Sequence, residues 1–196
     1  MKSTFLTVLL FTSFISCSQE KIPDASWQLK TAVLAAPEGQ REGAKVYGYD
    51  SNGNIVVLRE GTNQYVCLAD NPENEGFQTA AYHKDLDDFM TRGRELRNQG
   101  KGFQEVFDTR ENEVKSGKLK MPDRTTLFIF SGDVNPQTKE IENQKVRYVV
   151  YIPYATAEST GLPDGPKAPG HPWIMDPGTH RAHIMITPPQ AAVKEK

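Results

Sequence analysis

One stretch, from Pro153 to Pro188, constrains the fold of this 196-residue sequence more than any other. Residues 154–181 contain too much glycine and proline for a regular helix or a ladder of paired strands. They nevertheless lie between two strongly apolar segments, residues 146–152 and 183–187. A loop of this length inside a compact domain is uncommon, and it is usually either functional or disordered. We therefore look for a functional site here first.

The rest of the chain is read from its apolar periodicity. Short runs rich in β-branched and aromatic residues, separated by turn residues, predict strands. These strands are expected over residues 45–49, 54–59, 64–69, 77–82, 126–131, 146–152 and 183–187. Asn52-Gly53 is a strong turn signal between the first two. The first three strands are predicted to form an antiparallel meander, and residues 132–144 a polar loop.

Three segments have helical spacing. One begins near Ser26, which is a candidate N-cap. Two longer ones, from Asp85 to Gln99 and from Phe103 to Ser116, carry apolar stripes. The stripes comprise Leu86, Phe89, Met90, Gly93 and Leu96 in the first, and Phe103, Val106, Phe107 and Val114 in the second. The predicted fold class is α+β: a single domain with antiparallel sheet structure, two amphipathic helices packed on one face, and the long Gly/Pro-rich loop.

The N-terminus has the organisation of an export signal. Lys2 is followed by an uncharged apolar run over residues 5–15, which is shorter than the roughly 20 residues that span a bilayer. The run ends in Phe14-Ile15-Ser16-Cys17, which resembles the lipobox of bacterial lipoproteins, although Phe14 stands where that motif usually has leucine. A plain secretory signal and a buried N-terminal strand remain as alternatives.

The resemblance, which covers residues 1–17 only, implies a division of the chain. Residues 1–16 would be a signal peptide, residues 17–25 a tether, residues 26–187 the single domain, and residues 188–196 a frayed tail. Cys17 would be lipidated and would anchor the protein in a membrane. Because Ser18 is not the aspartate that resembles a signal for retention in the inner membrane, the expected location is the outer membrane, on its periplasmic or its surface face.

Cysteine content and charge limit the partners. If Cys17 is lipidated, Cys67 has no partner for a disulfide, and its apolar neighbours predict a buried, inert thiol. The formal net charge is −2, and basic and acidic residues are interspersed. This balance gives no electrostatic support for nucleic-acid binding.

Three of the four histidines lie within the Gly/Pro-rich stretch. Asp176, His180 and His183, with His171 nine residues before His180, offer carboxylate and imidazole ligands for a divalent metal such as zinc. The spacing matches no established metal motif. Two other roles are open: the histidines pin the loop through backbone carbonyls, or one of them acts as a general base oriented by Asp176. His83 could join any of these arrangements.

Aromatic residues mark the same region. Trp173 stands inside the polar loop, so it is expected to fold back onto the domain as an anchor or to line a pocket. Tyr151 and Tyr154 precede the loop and could line the same place.

Together these features favour a membrane-anchored, exported binding or interaction module whose site lies in residues 154–183. Whether the protein is an enzyme is left open, because no established catalytic motif is found. The alternative is a metal-dependent hydrolase that uses Asp176, His180 and His183 as ligands. A third hypothesis is a purely structural envelope protein, which predicts no pocket beside the loop.

Overall fold

The strands of the chain pair into one sheet, in a computed structural model that describes residues 22–189. The strands are β1 (Lys45–Tyr49), β2 (Ile55–Arg59), β3 (Tyr65–Leu68), β4 (Phe77–His83), β5 (Thr125–Val134), β6 (Ile141–Tyr151), β7 (Trp173–Met175) and β8 (His183–Ile186). Their order in the sheet is β2-β1-β3-β4-β5-β6-β8-β7, and all neighbours are antiparallel except β1 and β3. The predicted signal peptide, Cys17, most of the tether and most of the tail lie outside the described residues.

Four α-helices complete the described α+β domain: α1 (Ala25–Ala32), α2 (Asp87–Asn98), α3 (Phe103–Lys115) and α4 (Ala157–Thr160). Helix α1 begins one residue before the predicted cap, because the Asp24 carboxylate accepts the backbone N–H of Trp27 at 2.9 Å. Within residues 22–189, no helix is long and apolar enough to cross a membrane.

The predicted meander of the first three strands is wrong. Strand β1 lies between β2 and β3, and it runs parallel to β3. The connection from β2 to β3 passes directly beside the chain that enters β1. A Cβ at Gly61 would lie 2.7 Å from the backbone nitrogen of Lys45, so only glycine fits at this crossing.

The predicted polar loop over residues 132–144 is shorter than expected: residues 135–140 form the turn, and the residues on both sides of it belong to strands. Strands β5 and β6 extend beyond the core as a two-stranded ribbon, with a register shift between Ser131 and Asp133. The side chains of residues 142–145 are exposed, so their polarity does not oppose strand formation. Backbone hydrogen bonds hold residues 142–145 in the ribbon, and Ile141 packs against the first core cluster.

Apolar residues form two core clusters. Adjacent strand residues point to opposite faces of a sheet, and Val66 and Cys67 accordingly belong to different clusters. Cys67 is fully buried, and burial raises the pKa of its thiol to about 12. The second cluster joins Phe89 of α2 to Val149 and Tyr151 of β6, and it supports the Gly/Pro-rich segment.

The buried face of α3 is not the apolar stripe that its sequence predicts. Phe103, at the start of α3, is 73 % exposed, whereas Arg110 and Glu113 of the same helix are buried. Arg110 lies against Gly93 of α2, where a Cβ would come within 2.8 Å of its Nη1. Glu113 pairs with Arg92 of α2, with Nη2 and Oε1 2.7 Å apart. Ion pairing and close helix contact replace part of the expected apolar packing between these helices.

Candidate functional site

Backbone hydrogen bonds join the two ends of the Gly/Pro-rich segment, and the paired residues 152–155 and 178–182 are called its neck. The N–H of Ile152 donates to Ala182 at 2.9 Å, that of Tyr154 donates to Thr179 at 2.7 Å, and that of Gly178 donates to Ala155 at 2.8 Å. The segment also contains α4 and β7, so it is not the structureless loop that its composition predicts. Its two ends are therefore fixed side by side at the end of β6.

A carboxylate from α3 fastens this neck to the helices. Glu111 Oε2 accepts the backbone N–H of His180 at 2.8 Å, and it also pairs with Nδ1 of the same residue. Since a carboxylate can only accept, Nδ1 carries the proton, and Nε2 of a neutral ring is left as an acceptor. Lys115 Nζ lies 2.7 Å from Glu111 Oε1 on the exposed side. One side chain thus joins α3 to residues that lie 69 positions further along the chain.

Aromatic rings enclose the His180 imidazole, which is fully buried. The ring centroids of Phe89 and Phe107 lie 5.5 Å and 4.9 Å from that of His180, both in edge-type contacts. The Arg110 guanidinium stacks 4.1 Å from the centroid of Phe89. Within the described chain, His180 Nε2 and Arg110 Nε are buried without a hydrogen-bond partner. Burying each of these polar atoms costs desolvation free energy that no hydrogen bond offsets.

Burial governs the protonation of these groups. Burial lowers the pKa of His180, and the bond to Glu111 opposes this effect only in part. Burial also lowers the pKa of Arg110 to about 10. Burial alone would raise the pKa of Glu111, but hydrogen bonds from Lys115 and His180 outweigh it and lower that pKa. The pair is therefore a carboxylate that accepts from a neutral imidazole at pH 7.

His183 has a separate environment on β8. Its Nδ1 donates to the backbone oxygen of Arg181 at 2.5 Å, and its ring lies 5.0 Å from that of Tyr151. Burial lowers the pKa of His183. Asp176 has a positive φ of 52° and pairs with Arg181, with Oδ2 and Nε 3.5 Å apart. The carboxylate predicted to act with the histidines is thus directed to an arginine.

The predicted zinc ligands do not form a cluster. Across residues 22–189, no group of three or more His, Cys, Asp or Glu side chains is arranged to hold a metal ion. All four predicted ligands, His171, Asp176, His180 and His183, lie within this range. His180 is turned toward Glu111 and His183 toward a backbone carbonyl, so their donor atoms are directed to different partners.

A groove of about 690 Å³ lies over strands β6, β8 and β7, and its lining residues do not include those of the neck. Its floor contains Trp173, Met175 and Met185, which also pack against the second core cluster. Residues 166–171 form one wall, and residues 187–189 form part of the rim. Arg147, Lys167 and His171 are the ionisable side chains that line it. Grooves of roughly 300–1,000 Å³ are typical of small-molecule sites.

The wall of the groove depends on a close contact. Gly170 has a φ of 78°, and a Cβ there would lie 3.0 Å from the ring of Pro189. Ile174 N–H donates to the Pro163 oxygen at 2.9 Å, so the chain that leads into the wall also covers the outer edge of β7. These contacts place the wall against the rim and against the edge of β7.

The other predicted residues lie elsewhere. His83 contacts Asp85, with Nδ1 and Oδ2 3.3 Å apart, and it does not line the groove. Tyr154 is 40 % exposed, has a φ of 64°, and also lies outside the lining. A second groove of about 740 Å³, near the N-terminus of α2, contains none of the predicted residues. One of its acids, Asp87, already accepts hydrogen bonds from Tyr47 and Tyr82 at 3.1 Å and 2.8 Å.

Sequence reasoning missed Glu111, Arg110 and Arg147. The sequence patterns place Glu111 and Arg110 on an amphipathic helix and Arg147 on a strand, and they assign none of them a partner. One signal was available: a charged residue at position 110 follows Val106 at helical spacing and therefore falls on the buried stripe. No local pattern marks Arg147, because the groove that this exposed residue lines forms only when residues 166–171 fold beside β6.

Comparisons with protein-family models, with curated proteins and with solved structures find no match for this chain.

Proposed function

We propose that this protein is an exported, membrane-anchored binding module whose site is the groove over β6, β8 and β7. The observation that carries the proposal is the groove itself, which has an apolar floor, two basic side chains in its lining and a wall formed by part of the Gly/Pro-rich segment. A purely structural protein predicts no pocket at this place. The hydrolase alternative requires Asp176, His180 and His183 to share one metal ion. Their side chains are directed to three separate partners, which argues against it.

The groove is expected to bind one equivalent of a neutral apolar dye such as N-phenyl-1-naphthylamine. Trp173 lies in the floor, whereas Trp27 packs against Phe77 in the other core cluster. The Trp173→Leu variant should therefore bind the dye about tenfold more weakly, because it loses an aromatic surface. Dye fluorescence in a titration of the purified protein measures this affinity.

The matched control is Trp27→Leu, which leaves Trp173 as the remaining tryptophan. This variant should keep the affinity of the unaltered protein, and excitation of Trp173 should transfer energy to the bound dye. Circular dichroism checks that both variants are folded. Equal loss in both variants, or binding that does not saturate, would contradict the groove as the site.

The proposed anchor is Cys17, on the basis of its resemblance to a lipobox cysteine. In bacterial cells fed labelled palmitate, Cys17→Ser is expected to abolish the label and to move the protein from the membrane fraction to the soluble fraction. Cys67→Ser is the matched control and should keep the label, because the Cys67 thiol is buried. Label that survives Cys17→Ser would exclude this anchor.

A further inference from the structure

We infer that the groove binds a dissolved single-chain amphiphile with an anionic head group, whose carboxylate or phosphate oxygens are held by Arg147. This inference rests on the proposed function, since it requires the groove to be a binding site. It adds the chemical class of the ligand.

Arg147 is positioned to accept an anion. It lies on β6, where its Nε donates to Thr187 Oγ1 at 3.1 Å. In the described chain its other two guanidinium nitrogens have no hydrogen-bond partner, and the residue takes part in no ion pair. A guanidinium that is held by one nitrogen and free at the others presents a planar pair of donors, which matches a carboxylate or a phosphate.

The charges around the groove are of one sign. Arg147 and Lys167 line it together with the imidazole of His171, and no aspartate or glutamate is among its lining residues. The whole chain has a formal net charge of −2, so this local excess of positive charge is not a general property of the surface. An anionic group is therefore attracted here, and a cationic ligand is repelled.

The floor requires an apolar part in the same ligand. Trp173, Met175 and Met185 form a continuous apolar surface that joins the second core cluster. Methionine side chains adapt to flexible alkyl chains more readily than branched residues do. A volume of about 690 Å³ accommodates a chain of roughly ten carbons with its head group.

The covered edge of β7 argues against an extended peptide that would add to the sheet. Such a peptide needs free backbone groups along the edge strand. The N–H of Ile174, which points outward from β7, is already bonded to Pro163. A small amphiphile needs only the floor, where Trp173 and Met175 are partly exposed, and the exposed Arg147 guanidinium.

The test compares three ten-carbon ligands by titration calorimetry on the purified protein, below their micelle concentrations: decanoate, decanol and decyltrimethylammonium. The protein should bind decanoate about tenfold more tightly than decanol, because a charge-assisted bidentate contact is added. Decyltrimethylammonium should bind more weakly than decanol. Arg147→Gln should bind decanoate no more tightly than decanol, with decanol affinity unchanged.

Two controls make the outcomes distinct. Arg124→Gln removes an exposed arginine outside the groove and should leave all three affinities unchanged. Arg147→Lys keeps the charge but not the planar pair of donors, so an intermediate preference for decanoate is expected. Equal affinity for decanoate and decanol in the unaltered protein would overturn the anionic class but leave the proposed function intact. Failure to bind any of the three ligands would overturn both.

Discussion

Replacing Phe89 with alanine is expected to lower the free energy of unfolding by about 3–5 kcal/mol, the usual cost of deleting a buried aromatic ring. Phe89 is 1 % exposed and lies at the centre of the junction between the helices and the Gly/Pro-rich segment. Its ring contacts Tyr151 and His180 at centroid distances of 6.3 Å and 5.5 Å, and it supports the Arg110 guanidinium. The deletion leaves a cavity and also leaves a buried cation without its aromatic neighbour.

Urea unfolding followed by circular dichroism measures this loss. Phe103→Ala provides a matched control, since Phe103 is the same residue type and is 73 % exposed. Its ring is mostly exposed and its centroid lies 5.5 Å from the Arg181 guanidinium, so a loss below about 1 kcal/mol is expected. Similar losses for the two substitutions would show that the Phe89 ring is not the packing centre of this junction.

Glu111→Ala is expected to lower the free energy of unfolding by about 2–4 kcal/mol, because it breaks two hydrogen bonds to a charged acceptor and leaves a buried imidazole unpaired. The carboxylate accepts both the backbone N–H and Nδ1 of His180, and these two bonds add to the Phe107–His180 ring contact that also joins α3 to the neck. The effect should also be local: the His180 amide loses its acceptor and should exchange with solvent faster than the amides of β4 and β5.

Asp108→Ala is the control for Glu111→Ala, because Asp108 is an acid on the same helix. It accepts one exposed hydrogen bond from Gln104 at 2.9 Å, so a loss below about 0.5 kcal/mol is expected. Hydrogen exchange and urea unfolding should both distinguish the two variants. If the hydrogen-exchange rate of the His180 amide is unchanged in Glu111→Ala, the Glu111 carboxylate does not stabilise the neck.

The groove and the Glu111–His180 contact act on the same segment, although His180 does not touch the groove. The contact fixes the residues that lead into β8, and β8 contributes Met185 to the groove floor. A variant at Glu111 should therefore reduce dye binding through the position of the floor, whereas one at Arg147 should change only the preference among head groups. This difference separates positioning from recognition in the proposed module.

Strand periodicity predicted most of the sheet, because the alternation of apolar residues is a local property. Strand β1 has the predicted bounds, and β4 differs by one residue at its end. The parallel pairing of β1 with β3 could not be predicted in this way, because the residue pattern of a strand does not specify which other strand it pairs with. The polar composition of residues 142–145 predicted a loop, but these residues belong to β6. Their side chains are exposed, so their polarity does not prevent strand formation.

The sequence by itself determined the α+β class and the positions of the main helices and strands. These follow from local propensities and spacing over fewer than about 20 residues. Only the tertiary structure decided which partners the polar residues have. His180 meets Glu111 from 69 positions away, and Arg147 acquires a groove because residues 166–171 fold beside it. Such contacts depend on how the sheet, the helices and the Gly/Pro-rich segment pack together, and no local sequence pattern specifies that packing.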